Sequence, residues 1–356
     1  MKKFQKKTLI VGLIAGCILA GATPCFAYNG GAGTEVDSFA NAPRSLHTLV
    51  NAENDALSHR LEDIRFGEKT GGVWIRSFTG KAEGIRHGNM REFDQTYRGF
   101  VVGVGGKVQS TSRANVYAGG FLGTTKSDVD YSMDFTTGRE YMQSDISTGY
   151  LGAYGIYHQP KNDFYVGTTL KWGTVNQEHN LKNPGSFGYQ SDDDRSSIWS
   201  ISFDSGRRFF LGNQKSEKEG FYLEPQARLS VGEIGGTDFY DSFSKIGSSR
   251  FAQTRLGLQA GYEIKNNKNP INIYGKAAWV SDFGNKPKVS IDASRISTPL
   301  THDWVQSELD RNWLVYGLGI SATIKEHHSL HLDFQRSSGA EVNQKFQISG
   351  GYKYQW

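Results

Sequence analysis

The sequence predicts an all-β membrane fold, a 12-stranded antiparallel transmembrane β-barrel with an N-terminal α-helix inside the pore. Three observations carry that expectation. From Gly71 to the C-terminus the residues alternate with a period of two, which is the side-chain period of a β-strand. Charges sit at alternate positions of otherwise apolar strands, costly between two dry faces but tolerable where one face is wet. Long and short connections between strands also take turns, as they do in outer-membrane barrels.

The last stretch shows the pattern most plainly. Phe346, Ile348, Gly350, Tyr352, Tyr354 and Trp356 form one face, and Gln347, Ser349, Gly351, Lys353 and Gln355 the other. One face is apolar and ends in aromatics, which suits a membrane interface, whereas the other suits a wet lumen. Composition agrees. Gly is abundant (43 residues), aromatics reach 13 %, and Pro (8) and Cys (2) are scarce, a profile unlike that of a helical enzyme or a disordered chain.

Residues 1–27 read as a secretory signal peptide. Lys2, Lys3, Lys6 and Lys7 form a basic start, Thr8–Ala20 is largely apolar, and Cys25-Phe26-Ala27 offers a cleavage site before Tyr28. Ile14-Ala15-Gly16-Cys17 is an alternative, lipoprotein-type site that would leave Cys17 acylated; against it, Ile18-Leu19-Ala20 continues the apolar core. The four lysines account for the whole formal charge of +4, so the rest of the chain is balanced and no basic surface argues for nucleic acid. Both cysteines also lie in this segment, which removes disulfide and thiolate chemistry. Beyond it no apolar run is long enough for a transmembrane helix. A chain that enters a membrane under those conditions does so as a closed barrel.

Residues 28–44 are Gly/Ala/Asn-rich and aperiodic, a flexible leader. A pore helix follows at 45–66. Leu46, Leu49, Val50, Glu53, Leu57, Leu61 and Ile64 recur at helical spacing, and Ser45 can cap the start. The narrow apolar stripe and the charges Glu53, Asp55, Glu62 and Asp63 suit a helix in a polar tube, with a surface helix or half a coiled coil as alternatives.

The barrel occupies 71–356, with twelve strands expected in order at Val73–Lys81, Arg98–Val108, Ala114–Thr125, Asp145–Tyr157, Phe164–Val175, Ile198–Phe209, Phe221–Val231, Arg255–Ile264, Ile271–Val280, Trp313–Ile324, Leu330–Arg336 and Phe346–Trp356. Val73 and Ile75 oppose Trp74 and Arg76 in the first. Ile146, Tyr150, Tyr154 and Ile156 share a face of the fourth. Phe221, Leu223, Pro225, Ala227, Leu229 and Val231 oppose Tyr222, Glu224, Gln226, Arg228 and Ser230 in the seventh. Long polar loops are expected at Lys126–Ser144, Asn176–Ser197, Glu233–Thr254 and Ser281–Asn312. Short turns are expected at Gln109–Arg113, His158–Asp163, Lys265–Pro270 and Lys325–Ser329. An even strand number with periplasmic turns puts both termini in the periplasm, unless the helix exits the pore, and the long loops outside.

On the inner wall the alternation places Arg76, Lys171, Glu224, Arg228, Arg255, Glu263, Lys276 and Lys353. These residues either seat the helix through Glu53, Asp55, Glu62 and Asp63 or simply hydrate the lumen. Other constellations read as structure. His327, His328 and His331 lie at a turn and a strand start without helical ligand spacing, so no metal is expected. Asp192-Asp193-Asp194, Asp134 and Glu140 read as solvated loop charges rather than a cation site or an acidic catalytic pair. No Gly-rich loop precedes a helix, so no phosphate cradle is expected. No cofactor and no enzymatic activity are expected.

The chain resembles the C-terminal translocator β-barrel of autotransporters (type V secretion) over roughly residues 45–356. The matching stretches include Arg60-Leu61-Glu62-Asp63-Ile64-Arg65 leading into Gly72-Val73-Trp74-Ile75-Arg76, Tyr97-Arg98-Gly99 and Phe221-Tyr222-Leu223-Glu224-Pro225-Gln226-Ala227. Arg255-Leu256-Gly257, Ile273-Tyr274-Gly275-Lys276 and the terminal Gly351-Tyr352-Lys353-Tyr354-Gln355-Trp356 complete the set. The resemblance implies a helix threading a twelve-stranded barrel that carries an N-terminal passenger to the cell surface. It also implies a C-terminal signal for the outer-membrane assembly machinery, falling here on Ser349, Gly351, Tyr354 and Trp356, with periplasmic chaperones and outer-membrane lipid or lipopolysaccharide as further partners of a monomer. Two departures matter. Only 28–44 separates the signal peptide from the helix, so the chain is expected to be passenger-less. The Asn-Asn pair at which some members cut their helix falls at Asp55-Ala56, so the helix is expected to stay attached. A small-solute pore, and an adhesin-like protein using its loops (the Asp238–Phe251 stretch being the one suggestive composition), remain as alternatives.

Overall fold

The computed structural model describes residues 40–65, 71–85, 92–131, 142–181, 191–211, 219–239, 244–264, 269–292, 304–307 and 311–356. The expected signal peptide, most of the leader, Asp134 and Glu140 lie outside them. Helix α1 spans Ala42–Arg65, starting three residues ahead of the expected 45. Pro43, in its first turn, forgoes only a backbone N–H that has no partner inside a helix anyway.

Twelve long strands follow: β1 Gly71–Gly84, β2 Phe93–Ser110, β3 Asn115–Tyr131, β4 Met142–Gln159, β5 Phe164–Leu181, β6 Ser191–Arg207, β7 Gly220–Ile234, β8 Ser249–Ile264, β9 Ile271–Asp282, β10 Asn312–Ile324, β11 His328–Ser338 and β12 Val342–Gln355. Past Arg208, Phe209–Phe210 extends β6 along the same neighbour. Each strand pairs antiparallel with the next, and β1 pairs with β12 from Gly72↔Gln355 to Gly84↔Val342, so the sheet has no free edge. No helix of the described residues is long and apolar enough to cross a membrane. The closed sheet satisfies its own backbone and can cross instead.

Lipid-facing positions carry a belt of exposed apolar side chains, among them Leu122, Leu151, Trp172, Phe221, Leu256 and Leu318. The strands do not stop where that belt stops. β3 runs on to Tyr131, β4 starts at Met142, β5 reaches Leu181 and β6 starts at Ser191, so most described residues of the two expected loops Lys126–Ser144 and Asn176–Ser197 are strand. In these extensions the polarity reverses. Lys126, Asp128 and Asp130 point outward, whereas Ser127, Val129 and Tyr131 are buried inside. A reading that expects apolar side chains outside loses the strand where the outside becomes water. Asp192, Asp193 and Asp194 therefore lie on β6 rather than in a loop.

The two other expected loops contribute short strands to a separate four-stranded sheet, ordered Trp304–Gln306, Lys288–Ile291, Ser244–Ile246 and Thr237–Phe239. Phe239, Ile246, Phe251 and Val289 turn inward and join the buried cluster around α1. Within the Asp238–Phe251 stretch, residues 240–243 lie outside the described residues, and the described apolar side chains Phe239, Ile246 and Phe251 are used in packing.

The barrel interior is less polar than the tube expected. Trp74, Phe78, Tyr97, Phe121, Tyr150 and Tyr154, from β1 to β4, pack with Leu46, Leu49, Val50, Ala52, Ala56 and Leu57 of α1. The Ile146, Tyr150, Tyr154 and Ile156 face is thus an inner one. Inward aromatics need room, and cross-strand glycines supply it. A Cβ on Gly103 would lie 2.3 Å from the Trp74 ring. Gly103→Leu is expected to displace Trp74 and cost about 1–3 kcal/mol by overpacking, read as a lower temperature for loss of the compact heat-modifiable form on unboiled gels.

Candidate functional site: the helix-filled pore

α1 enters the lumen at the long-loop end and descends toward the short-turn end, where β1 begins. At the upper end Ala40, Asn41 and Ala42 are wholly buried, and the Ser307 hydroxyl donates to the Ala40 carbonyl (2.7 Å). Ser45 pairs with the Tyr131 hydroxyl (3.0 Å), and Gln95 donates to the Ser45 carbonyl (3.1 Å). Arg44 lies 5.6 Å over the Phe93 ring and 3.7 Å from the Glu341 carboxylate. His47 is within 2.6 Å of the Ser249 hydroxyl.

Halfway down, two carboxylates tie α1 to opposite walls. Residues two apart on a helix point about 200° apart, so Glu53 and Asp55 face different strands at nearly one depth. Glu53, fully buried, accepts from Lys171 (2.8 Å), Thr125 (2.9 Å) and Thr148 (2.5 Å), on β5, β3 and β4. The Lys171 ammonium also lies 5.3 Å over the Tyr150 ring. Asp55 accepts from Arg228 (2.7 Å), Arg255 (2.6 Å) and Gln335 (2.8 Å), on β7, β8 and β11. Arg228 and Arg255 are cross-strand neighbours in register, so their like charges need an anion between them. Asp55 supplies it from the helix, and Asp204 supplies a second to Arg228 at 2.7 Å. Below this belt Ser58 reaches Asp204 at 3.4 Å. The backbone of Glu62 and Asp63 is helical, but their side chains lie outside the described residues.

Most of the remaining inner-wall candidates have partners on the wall among the described side chains. Arg76 and Lys276 approach Asp333 at 3.9 and 3.5 Å. Glu224 and Glu263 both accept from Arg208, at 2.9 and 2.7 Å, and that guanidinium stacks 3.9 Å over Tyr222. Lys353 is buried on β12. Sequence reasoning missed Arg208, Asp204 and Asp333, yet each falls on an inward position that the alternation of its strand indicates. Thr125 and Thr148 fall on inward positions of their strands as well, but nothing in a threonine, which is at home on either face, singles it out as a partner for Glu53. His327 and His328 engage the Gln355 carbonyl and the Tyr352 hydroxyl (2.8 and 2.7 Å), and among the described residues no group of side chains could hold a metal ion.

A model of the autotransporter β-domain family matches residues 73–335. The chain belongs to that family. BrkA autotransporter of Bordetella pertussis is 26 % identical over 330 residues, covering 91 % of this chain and 30 % of BrkA. Pertactin autotransporter of Bordetella parapertussis is 28 % identical over 338 residues, 91 % of this chain and 34 % of pertactin. The chain thus spans about a third of the length of these curated relatives. Among solved structures, the β domain of Bordetella BrkA superposes with a TM-score of 0.62 at 24 % identity, covering 81 % of this chain and all of that one. The AIDA-I transport unit of Escherichia coli gives 0.64 at 16 %, covering 80 % and 90 %. The autotransporter barrel of this chain is accordingly an outer-membrane barrel of the Gram-negative type.

Two outcomes follow for the autotransporter barrel. Lys171→Met leaves the Glu53 carboxylate buried without its cation, and is expected to destabilise the seated helix by about 3–5 kcal/mol. Adding Glu53→Gln should recover much of that loss in a double-mutant cycle read by protease protection of α1. The second concerns acid. His179, on the β5 extension above the lipid belt, is fully buried, hydrogen-bonded with the Ser144 hydroxyl and edge-on to Phe239 with ring centroids 4.3 Å apart. Burial pushes its pKa from 6.5 down to about 3. Because the folded value is the lower one, the stabilising contribution is complete above 6.5 and drains away as pH falls toward about 3. Each pH unit in that window costs up to about 1.4 kcal/mol. Hydrogen exchange in Met142–Tyr150 should speed up on acidification, and His179→Phe should flatten that response.

Proposed function

We propose that the barrel passes a polypeptide segment joined ahead of α1 outward across the outer membrane, after which α1 stays behind as the plug. One observation carries this reading: α1 lies lengthwise in the lumen, bonded through Glu53 and Asp55 to opposite walls. A segment attached ahead of it would leave through the long-loop mouth. Lys171, Arg228 and Arg255 seat the helix. Arg76, Glu224, Glu263, Lys276 and Lys353 brace or hydrate the lumen, with Glu62 and Asp63 proposed as lower contacts. In support of a plugged state, two small cavities border α1, one of about 60 Å³ lined by Arg44, His47, Asn51, Asp55 and Trp313 and one of about 30 Å³ lined by Asp55, Ser58 and Arg228.

Ser349, Gly351, Tyr354 and Trp356 are proposed as the recognition strand for the assembly machinery, reached with the help of periplasmic chaperones. Tyr354 and Trp356 stand exposed on the lipid face while Ser349 is buried inside, so one edge offers both chemistries. No catalysis is proposed, and the protein is read as a monomer. Asp55, held by two arginines, is a neutralised carboxylate and a poor nucleophile, which supports an α1 that remains joined to the barrel.

Single-channel conductance in a planar bilayer tests the plug. The full chain should be nearly closed, deletion of residues 28–63 should open it, and Glu53→Ala/Asp55→Ala should flicker between the two. Equal conductance in all three would favour a porin-like pore.

A further inference from the structure

On the outer wall, directly above the lipid belt, Arg98 of β2 and Lys126 of β3 are cross-strand partners and both are exposed. Among the described residues neither has an ion-pair or hydrogen-bond partner. Two residues down the same strands, toward the membrane, come Phe100, 45 % exposed, and Thr124; two further down come Val102 and Leu122. At about 3.3 Å per residue on a tilted strand, the cations stand roughly 5 Å above the last apolar side chain. That is the depth of lipid headgroups, not of open water.

The next row up carries the opposite sign. Thr96, Asp128, Asp145, Glu178 and Asp193 are successive register partners across β2 to β6, all facing outward. The Asp145 carboxyl is held above its usual range by burial, then by the hydrogen bond and charge of Asp128 and the charges of Glu178 and Asp130. Aligned like charges cost energy. They also set a ceiling, since an anion bound at Arg98 and Lys126 cannot slide higher. Below, the lipid side is recessed. Gly149 would meet nothing within 4 Å if it carried a Cβ, and Gly120 only a backbone oxygen at 3.5 Å, which leaves a smooth trough beside Leu122 and Leu151.

We propose that Arg98 and Lys126 form a docking site for the phosphorylated headgroup of an outer-leaflet glycolipid, whose acyl chains lie in the glycine trough beneath. Charge complementarity at a fixed depth selects that occupant: two unpaired cations, a carboxylate row above and apolar surface below. A guanidinium and an ammonium side by side suit a phosphate monoester, which accepts charge-assisted bonds from both. The inference rests on the outer-membrane placement of the barrel.

The test uses the folded full chain in detergent, with bound lipid counted by native mass spectrometry. Probes are lipid A bearing its phosphates, lipid A stripped of them, and phosphatidylglycerol. Phosphorylated lipid A should bind at least about tenfold more tightly than either other lipid, and Arg98→Ala/Lys126→Ala should lose about that factor. Thr96→Ala should change nothing. If the double variant does not fold, Arg98→Gln/Lys126→Gln carries the same comparison. Unchanged lipid A binding in a folded variant overturns the proposal, as does equal binding of phosphatidylglycerol. Because folding is scored separately by heat modifiability, either result leaves the outer-membrane barrel reading standing.

Discussion

Hydrocarbon offers a backbone no hydrogen-bond partner, and the rest of this structure depends on that constraint. A sheet that crosses the bilayer must leave no edge, so β1 and β12, the two ends of the barrel in sequence, have to meet and pair along their full length. Closing the sheet creates an inside. In a soluble sandwich the second face would pack against another sheet; here it packs against α1. Strand closure and helix insertion are therefore two consequences of one requirement.

Filling the tube is solved differently on its two sides. The β1–β4 wall is aromatic, its rings lying over cross-strand glycines, and it receives the apolar stripe of α1. The β6–β11 wall carries Asp204, Arg228, Arg255 and Gln335, and it receives Asp55. Hydrophobic packing alone would let the helix slide or turn at little cost. The buried Glu53–Lys171 pair and the Asp55–arginine cluster remove that freedom, since any other register leaves ionised groups without partners.

Outside, the polarity is layered. The lipid belt is apolar, the wall above it is charged, and the inner face of that upper wall becomes apolar, so the strand extensions follow soluble rather than membrane rules. The same β-strand thus changes its dry side once along its length. The four-stranded sheet built from the long loops shares this upper zone and contributes Phe239, Ile246 and Val289 to the packing around α1. The described parts of these long loops serve as packing elements.

Much of this was legible from residue order. A period of two, alternate charges and connections of unequal length pointed to strand count, closure and inward positions such as Arg228 and Lys171, and three- and four-residue spacing pointed to the helix, because side-chain direction in either element depends only on local geometry. Even Arg208, Asp204 and Asp333 lay within reach of that rule. Pairings were not. That Arg76 and Lys276 both approach Asp333, or that Glu53 is met by Thr125 and Thr148, depends on register between strands far apart in sequence. The strand extensions escaped for a different reason: alternation tells which residues share a face but not which solvent that face meets. By itself the sequence determined which side chains stand together on each strand. Only the tertiary structure decided which face is dry at each height and who partners whom, because both depend on where the closed barrel sits around its helix and across the bilayer.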